Sequence, residues 1–309
     1  MDWLQAFILG IIQGLTEFLP ISSSGHLIIG KEILGLEATD NIAFETVVHC
    51  ATVLSTITIL RKEIVTLFLK LFKLQWNEET QYIGMILLSM IPVMIVGLFF
   101  KHTVENFFGE GLRLVGAMLL VTAVLLLLSS LRATKILNFK SQDHPLPPPA
   151  GKNPKSQISN PKSQISNPKS QISNPKSQIS NLKSIGWLSA LLMGLAQAIA
   201  VLPGLSRSGA TIATGLLAGV KKEEVAKFSF IMVLIPILGE TALGAMKGGF
   251  SVAVSGISTS SLFIGFFAAY LSGCLACKFM IELVKRTNLI WFAIYCCIAG
   301  TLALVYSLW

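Results

Sequence analysis

Charged residues are scarce in this chain, and that shortage restricts what the protein can be. Only 13% of its 309 residues are charged, 53% are hydrophobic, and the mean hydropathy is +0.69. This composition excludes an ordinary soluble domain and indicates an integral membrane protein. The chain start also lacks a basic region and a small-residue cleavage motif, so we expect residues 1–30 to be mature protein rather than a signal peptide.

Cysteine is scarce as well, and its distribution argues against a metal centre. All five cysteines fall in apolar segments. Cys274 and Cys277 have the spacing of a redox or zinc pair, but no second ligand pair accompanies them. We therefore interpret the cysteines as small apolar side chains.

The most informative polar cluster is found at residues 13–26, within a segment that hydropathy assigns to the membrane. Gln13 and Glu17 are four residues apart and share one face of a helix, which Pro20 ends or bends. Hydroxyls, a flexible backbone position and an imidazole follow: Ser22, Ser23, Ser24, Gly25 and His26. A carboxylate, hydroxyls, an imidazole and backbone N–H groups together suit the binding and cleavage of a phosphate ester or anhydride.

A second cluster at residues 194–211 repeats the first with an offset of about 184 residues and a one-residue slip. The Gly, Gln, Leu-Pro and Ser-x-Ser-Gly elements recur, so the two clusters look like duplicated copies. They differ where chemistry would differ, since Arg207 stands where the first copy has Ser23 and Ala210 where it has His26. A guanidinium among hydroxyls is a good phosphate clamp. These hydroxyls belong to Ser206, Ser208 and Thr211.

Hydropathy predicts the remaining architecture. Two apolar segments, 1–30 and 185–218, are interrupted by proline and are predicted to be re-entrant helical hairpins. Six further stretches reach the roughly 17 to 25 residues that a bilayer requires. They are 43–60, 82–100, 112–131, 228–246, 259–277 and 289–308.

Positive charge predicts the orientation of these segments. The connections 61–81, 132–184, 219–227 and 278–288 hold 19 of the 24 Lys and Arg residues, so we expect them to be cytoplasmic. The first hairpin then enters from outside and the second from inside.

The predicted fold is thus an all-α integral membrane protein of two inverted-topology repeats, 1–131 and 185–309. Each repeat is a re-entrant helical hairpin plus three transmembrane helices. Such a pair would meet near the membrane midplane and place Glu17, Ser23 and His26 opposite Arg207.

The connection 132–184 is predicted to be a cytoplasmic linker, disordered from Ser141 onward. It contains four tandem NPKSQIS heptapeptides from Asn153 to Ser180 and a degenerate fifth copy. A proline in every heptad removes the coiled-coil alternative, and the near absence of apolar residues predicts disorder.

The two motifs, QGLTEFLPISSSGH at 13–26 and PGLSRSGAT at 203–211, resemble the signatures of the undecaprenyl-diphosphate phosphatases, also called bacitracin-resistance proteins. The resemblance covers the whole chain except the linker. It implies an enzyme that hydrolyses undecaprenyl diphosphate to undecaprenyl phosphate and inorganic phosphate, which recycles the lipid carrier of peptidoglycan synthesis and confers bacitracin resistance. It also implies a divalent cation, Mg²⁺ or Ca²⁺, and a bacterial inner (plasma) membrane location.

The resemblance assigns roles residue by residue. Glu17, Ser23, His26 and Arg207 are the candidate catalytic residues, with Ser23 as nucleophile or Glu17 as base for direct attack by water. The candidate phosphate-binding residues are Ser22, Ser24, Gly25, Ser206, Ser208 and Thr211. The candidate metal ligands are Glu17, Gln13 and Glu45, with Glu45 needed because the Gln13 amide adds no charge. His49, four residues after Glu45, is equally compatible with packing and with catalysis.

Two rival functions remain open from the sequence. A polyprenyl-phosphate transporter or flippase without hydrolysis would also use inverted repeats and a midplane site. A lipid phosphatase of the phosphatidic-acid type needs a nucleophilic histidine shortly after its Ser-Arg pair, and residues 208–220 contain none. The expected partners are a polyprenyl diphosphate and membrane lipids, with no nucleic acid, and a homodimer is left open. We expect the site to open to the extracytoplasmic side.

Overall fold

The structure is a computed structural model, and it describes residues 1–36, 42–71, 78–100, 111–143, 185–246, 257–286 and 288–308. In this part of the chain every regular element is a helix, which confirms the all-α prediction. The helices are α1 Trp3–Phe18, α2 Ser23–Ile33, α3 Ile42–Ile59, α4 Arg61–Leu71, α5 Glu78–Phe99, α6 Gly111–Asp143, α7 Trp187–Ile199, α8 Arg207–Leu217, α9 Lys222–Met246, α10 Thr259–Arg286 and α11 Ile290–Tyr306.

Both polar motifs coincide with helix breaks. Helix α1 ends at Phe18, two residues before Pro20, and α2 begins at Ser23. In the second copy α7 ends at Ile199 and α8 begins at Arg207, with Pro203 in the break. Each helix flanking a break has 16 residues or fewer, so none of the four is long enough to cross a bilayer alone.

The long apolar helices indicate a multi-pass membrane protein. Three segments in the described residues qualify as spans by length and composition: Glu78–Phe99, Gly111–Arg132 and Thr259–Val284. Helix α3 qualifies only together with α4, from which it is bent by 79°. Large apolar side chains such as Leu98 and Leu275 are more than 70% exposed, as expected for surfaces that face lipid.

Two elements differ from the sequence prediction. Residues 61–71, predicted to lie in a cytoplasmic connection, form the amphipathic helix α4. Its Glu63 accepts from Lys227 Nζ of α9 at 2.9 Å, and its Lys70 donates to Glu79 of α5.

Helix α6 continues 12 residues beyond the predicted span end and includes Ser141, where disorder was predicted to begin. The described part of the helix ends at Asp143, two residues before Pro145. The heptapeptide repeats lie outside the described residues.

Close helix crossings place the two motifs. Helix α1 packs along α10, and α7 packs along α5. At the first crossing a Cβ on Gly10 would lie 2.5 Å from the Gly265 carbonyl oxygen, and at the second a Cβ on Gly194 would collide with the Ser89 backbone. Small residues are required at both crossings for the backbones to approach this closely.

A third close crossing lies between α6 and α11. A Cβ on Gly300 would lie 2.8 Å from the Gly116 carbonyl oxygen, so these two helices also touch through backbone. Helix α3 packs against α10 on one side and α9 on the other. This arrangement brings α2, α3, α8 and α9 around one interior position, where the polar motifs converge.

Candidate active site

Glu17 is the centre of the polar site. Its Oε2 accepts a hydrogen bond from Ser23 Oγ at 2.6 Å and another from Gln13 Nε2 at 2.8 Å. The Glu17 side chain is only 9% exposed, and Gln13 is fully buried. Ser23, the first residue of α2, thus faces a carboxylate on the last turn of α1.

The turn that presents Ser23 has an unusual backbone. Ser22, the N-cap of α2, has φ 72° and ψ 100° and is the one non-glycine residue with positive φ in the described chain. Its Oγ accepts from Gly25 N at 3.2 Å. A residue with a side chain in this conformation is strained, and such strain persists only where the surroundings impose it.

The second motif repeats this capping arrangement without the strain. Ser206 is the N-cap of α8, and its Oγ accepts from Gly209 N at 3.0 Å. Its φ is −72°, an ordinary extended value. Arg207 is the first residue of α8, in the position that Ser23 occupies in α2.

The two motifs contact each other directly, as the sequence predicted. Ser208 Oγ donates to the Leu19 carbonyl oxygen at 3.0 Å, and Gly204 N lies 3.4 Å from Ser24 Oγ. The two motifs approach closely at Gly25, where a Cβ would lie 3.3 Å from the Gly204 Cα. The contact thus joins the break after α1 to the break before α8.

Glu17 and Arg207 line one narrow cavity between α3 and α9. One part of its wall is polar, and the rest is apolar. The polar wall consists of Glu17, Thr52, Thr56, Arg207, Ser208 and Ser229. The apolar wall consists of Phe18, Val53, Phe230, Val233, Leu234 and Ile237. The chemistry of this lining matches a molecule with an anionic head and an apolar body.

His26 does not line this cavity, contrary to the expectation that it faces Arg207. Its Nδ1 lies 2.7 Å from the Ser22 carbonyl oxygen and its Nε2 lies 2.7 Å from the Tyr295 hydroxyl. The two rings stack with centroids 5.6 Å apart. The imidazole is therefore engaged with its own turn and with α11.

His49 is the imidazole that lies near Glu17. Its Nε2 is 3.8 Å from Glu17 Oε2, and its Nδ1 is 2.8 Å from the Glu45 carbonyl oxygen. A carbonyl oxygen only accepts, so Nδ1 carries a proton. The structure thus places His49, whose role the sequence left undecided, beside the candidate base.

Glu45 has a different partner from the one that the sequence suggested. Its Oε1 lies 2.6 Å from Lys31 Nζ, and the Lys31 side chain is only 1% exposed. Among the described residues no group of three His, Cys, Asp or Glu side chains is arranged to hold a metal ion. The expectation that Glu45 completes a metal site is therefore unsupported, because its carboxylate neutralises a buried lysine.

Two candidate phosphate-binding hydroxyls also have structural partners. Thr211 is fully buried, and its Oγ1 lies 2.6 Å from Ser229 Oγ while donating to the Arg207 carbonyl oxygen at 2.8 Å. Ser206 is 1% exposed and bonds within its own cap. In the second motif, Arg207 and Ser208 line the cavity. Ser206 and Thr211 instead form hydrogen bonds within and around α8, the helix that carries Arg207 and Ser208.

The family model described as "Bacitracin resistance protein BacA" matches residues 6–302, a range that includes both motifs. The chain belongs to this family. An undecaprenyl-diphosphatase from Bacteroides fragilis is 48% identical over 308 residues, 99% of each chain. One from Parabacteroides distasonis is 48% identical over 309 residues, which are 100% of this chain and 99% of the relative. One from Methanobrevibacter smithii is 32% identical over 322 residues, 100% of this chain and 99% of the relative. The resemblance inferred from the two motifs is thus confirmed.

Two contacts of this BacA-family site were missed by the sequence analysis, those of Lys31 and Tyr295. Lys31 gave a detectable signal, since a lysine one turn beyond the motif in an apolar segment requires a partner. Tyr295 gave none, because it lies 269 residues from His26 and is an ordinary aromatic in an apolar helix.

Proposed function

We propose that this chain is an undecaprenyl-diphosphatase, which hydrolyses undecaprenyl diphosphate to undecaprenyl phosphate and inorganic phosphate. The reaction returns the lipid carrier to peptidoglycan and cell-envelope synthesis and confers resistance to bacitracin. Membership of the BacA family and full-length relatives with this name support the assignment. A cavity with both a charged and an apolar wall suits a diphosphate on an isoprenoid tail.

The observation that carries the proposal is the 2.6 Å hydrogen bond from Ser23 Oγ to Glu17 Oε2. In the serine route Glu17 takes the hydroxyl proton while Ser23 Oγ attacks the terminal phosphorus. The bond between that phosphorus and the bridging oxygen breaks, and undecaprenyl phosphate leaves with the bridging oxygen. Water then hydrolyses the phosphoserine to release inorganic phosphate. In the alternative route Glu17 takes a proton from a water that attacks the same phosphorus.

Arg207 is the proposed clamp of the diphosphate. Its guanidinium lines the same cavity as Glu17, and phosphoryl transfer depends mainly on positioning and on stabilising negative charge. Ser208 at the cavity wall and backbone N–H groups at the start of α8 would add hydrogen bonds to phosphate oxygens.

We also propose that a divalent cation, Mg²⁺ or Ca²⁺, takes part. Gln13 Oε1 is buried without a hydrogen-bond partner in the described residues, and its amide nitrogen already binds Glu17. An unpaired buried oxygen beside a carboxylate fits a cation that takes its other ligands from substrate phosphates and water. When bound, the cation would neutralise charge that develops on the phosphate oxygens. Gln13 and Glu17 would hold it, and Glu45 would not.

The repeat topology and the orientation of the chain in the membrane are further proposals. We propose two inverted-topology repeats in the bacterial inner membrane, with the site open to the extracytoplasmic side. The matched crossings of α1 with α10 and of α7 with α5 support a two-fold relation between residues 1–131 and 185–309. Single cysteines introduced at the exposed residues Glu32 and Lys221 of a cysteine-free variant test the orientation in intact cells. An impermeant thiol reagent that labels position 221 but not position 32 would overturn it.

The test of the function is phosphate release from undecaprenyl diphosphate by the purified full chain in detergent, with and without EDTA. We expect cation-dependent release that Glu17→Gln abolishes while folded yield is retained. Arg113→Lys is the matched control and should keep full activity, because Arg113 is exposed, donates to the Ser307 carbonyl oxygen and does not line the cavity. A well-folded native chain that binds the lipid but releases no phosphate would instead favour the transporter.

A further inference from the structure

The last helix of the chain contacts the first motif through Tyr295. The Tyr295 hydroxyl lies 2.7 Å from His26 Nε2, and the two rings are nearly parallel, with an interplanar angle of 14°. Tyr295 is half-exposed, so the contact is at the edge of the site rather than in the core. A hydrogen bond together with a stacked ring fixes both the position and the tilt of the imidazole.

The hydrogen bonds of His26 define its tautomer. Nδ1 lies 2.7 Å from the Ser22 carbonyl oxygen, which can only accept, so Nδ1 carries the proton. Nε2 of the neutral ring then has a lone pair and accepts from the Tyr295 O–H. Both ring nitrogens are therefore occupied, and the ring presents neither of them to Ser23 or Glu17.

The carbonyl that His26 binds belongs to the strained residue of the turn. Ser22 has φ 72°, and its carbonyl oxygen accepts from the His26 backbone N–H at 3.2 Å as well as from Nδ1. In the second motif Ser206 has φ −72°, and Ala210 stands where the first motif has its histidine. The imidazole thus occurs in the copy whose turn is strained and is missing from the relaxed copy.

A second contact of α11 reaches the same turn. Cys296 Sγ, one residue after Tyr295, donates to the Pro20 carbonyl oxygen at 3.6 Å. The turn is therefore held by neighbouring residues of one helix, at Pro20 directly and at Ser22 through His26.

We propose that Tyr295 is a positioning residue for the phosphatase reaction. Its hydroxyl fixes His26, His26 fixes the Ser22 carbonyl, and the strained turn keeps Ser23 Oγ on the Glu17 carboxylate. His26 accordingly acts as a clamp on the turn that carries Ser23. The inference rests on the proposed function for its kinetic consequence, whereas the tautomer of His26 follows from the geometry alone.

The kinetic test compares Tyr295→Phe with the native chain. Phenylalanine keeps the stacked ring and removes one hydrogen bond, so we expect kcat to fall roughly fivefold to tenfold with KM changed less than about twofold. Tyr306→Phe, which removes an exposed hydroxyl from the same helix, is the control and should change neither constant. An unchanged kcat for Tyr295→Phe would overturn the proposal.

A double-mutant cycle separates positioning through His26 from general support of the fold. In a His26→Ala background Tyr295→Phe should have no further effect, because the group on which the hydroxyl acts is gone. Equal losses in both backgrounds would show that Tyr295 supports the protein independently of His26, and would also overturn the proposal.

A third measurement does not depend on activity. Nitrogen NMR of the full chain labelled at its four histidines, with His26 assigned from the spectrum of His26→Ala, reports which ring nitrogen bears the proton. We expect a protonated Nδ1 and an Nε2 with a lone pair, and the opposite tautomer would overturn the clamp. If the native chain releases no phosphate, the proposed function fails, and this spectrum still decides the Tyr295 contact.

Discussion

The two polar motifs have the same cap geometry but different chemistry. In each, an N-cap serine accepts from the glycine N–H three residues later, at 3.2 Å for Ser22 and 3.0 Å for Ser206. The first helical residue is Ser23 in one and Arg207 in the other. One cap geometry thus presents two different side chains, the candidate nucleophile in the first motif and the candidate phosphate clamp in the second.

The copies also differ in how they are supported. Gln13 of the first copy donates to Glu17, whereas its counterpart Gln197 is fully buried and has no hydrogen-bond partner among the described residues. Strain at Ser22 is likewise confined to the first copy. Stored strain therefore coincides with the candidate nucleophile rather than with the motif as such.

The largest expected effect is at the carboxylate that only the first motif has. Glu17→Gln removes the proton acceptor of either chemical route, so we expect kcat for phosphate release to fall about 10³-fold. Steady-state release from undecaprenyl diphosphate measures it. Activity within tenfold of the native chain would remove Glu17 from the mechanism.

Ser23→Ala then separates the two routes. A loss as large as that of Glu17→Gln supports Ser23 as nucleophile, whereas a loss of roughly tenfold or less supports direct attack by water, with Ser23 only a hydrogen-bond partner.

The next effect is at Arg207, because only the second motif contains a guanidinium group. Arg207→Lys keeps the charge but loses the planar pair of donors, so we expect kcat/KM to fall roughly tenfold to hundredfold. Arg113→Lys should leave kcat/KM unchanged. Equal activity of the Arg207 variant would show that a point charge suffices and that no bidentate clamp is used.

A smaller effect concerns the ion pair between Lys31 of α2 and Glu45, which has no counterpart on α8. Helix α8 carries no charged residue after Arg207, whereas α2 carries Lys31 bound to Glu45. Lys31→Met leaves the Glu45 carboxylate without its partner, so we expect about 1–3 kcal/mol of destabilisation, limited because that carboxylate is 31% exposed. Thermal unfolding in detergent measures it.

The control for this pair is the double variant Lys31→Met, Glu45→Gln. Removing both charges should restore part of the lost stability, since no carboxylate is then left uncompensated. A double variant less stable than the single one would contradict the ion-pair interpretation.

The smallest expected effect isolates the strain itself. Glycine adopts positive φ without penalty, so Ser22→Gly relieves strain while it removes the serine cap, whereas Ser206→Gly only removes the cap. The free energy of unfolding of the Ser22→Gly variant should therefore be about 1 kcal/mol higher than that of Ser206→Gly. Thermal unfolding of the two variants side by side gives the difference. Equal shifts would show that the Ser22 turn is not strained.

The sequence predicted the meeting of the motifs for a definite physical reason. Glu17 and Arg207 lie in segments where ionisable side chains are unfavourable, and each lies beside a proline break, so they had to converge on one interior site. The same reasoning misassigned Glu45, because it sought ligands for a cation and overlooked Lys31 as a partner for the carboxylate.

Other features were outside the reach of the sequence. Residues 61–71 have the charge content of a loop, and only the structure shows the helix that they form. The contact of Tyr295 with His26 depends on the tertiary packing of α11, which no local pattern encodes. Local signals thus predicted the candidate reacting groups but not the tertiary contacts around them.

Helix α4 has a mechanical consequence. It forms an ion pair with α5 between Lys70 and Glu79 and another with α9 between Glu63 and Lys227. It therefore connects residues 78–100 to residues 222–246. Because α4 and α5 both belong to residues 1–131, a rocking motion of one half of the chain against the other would have to break only the ion pair between Glu63 and Lys227.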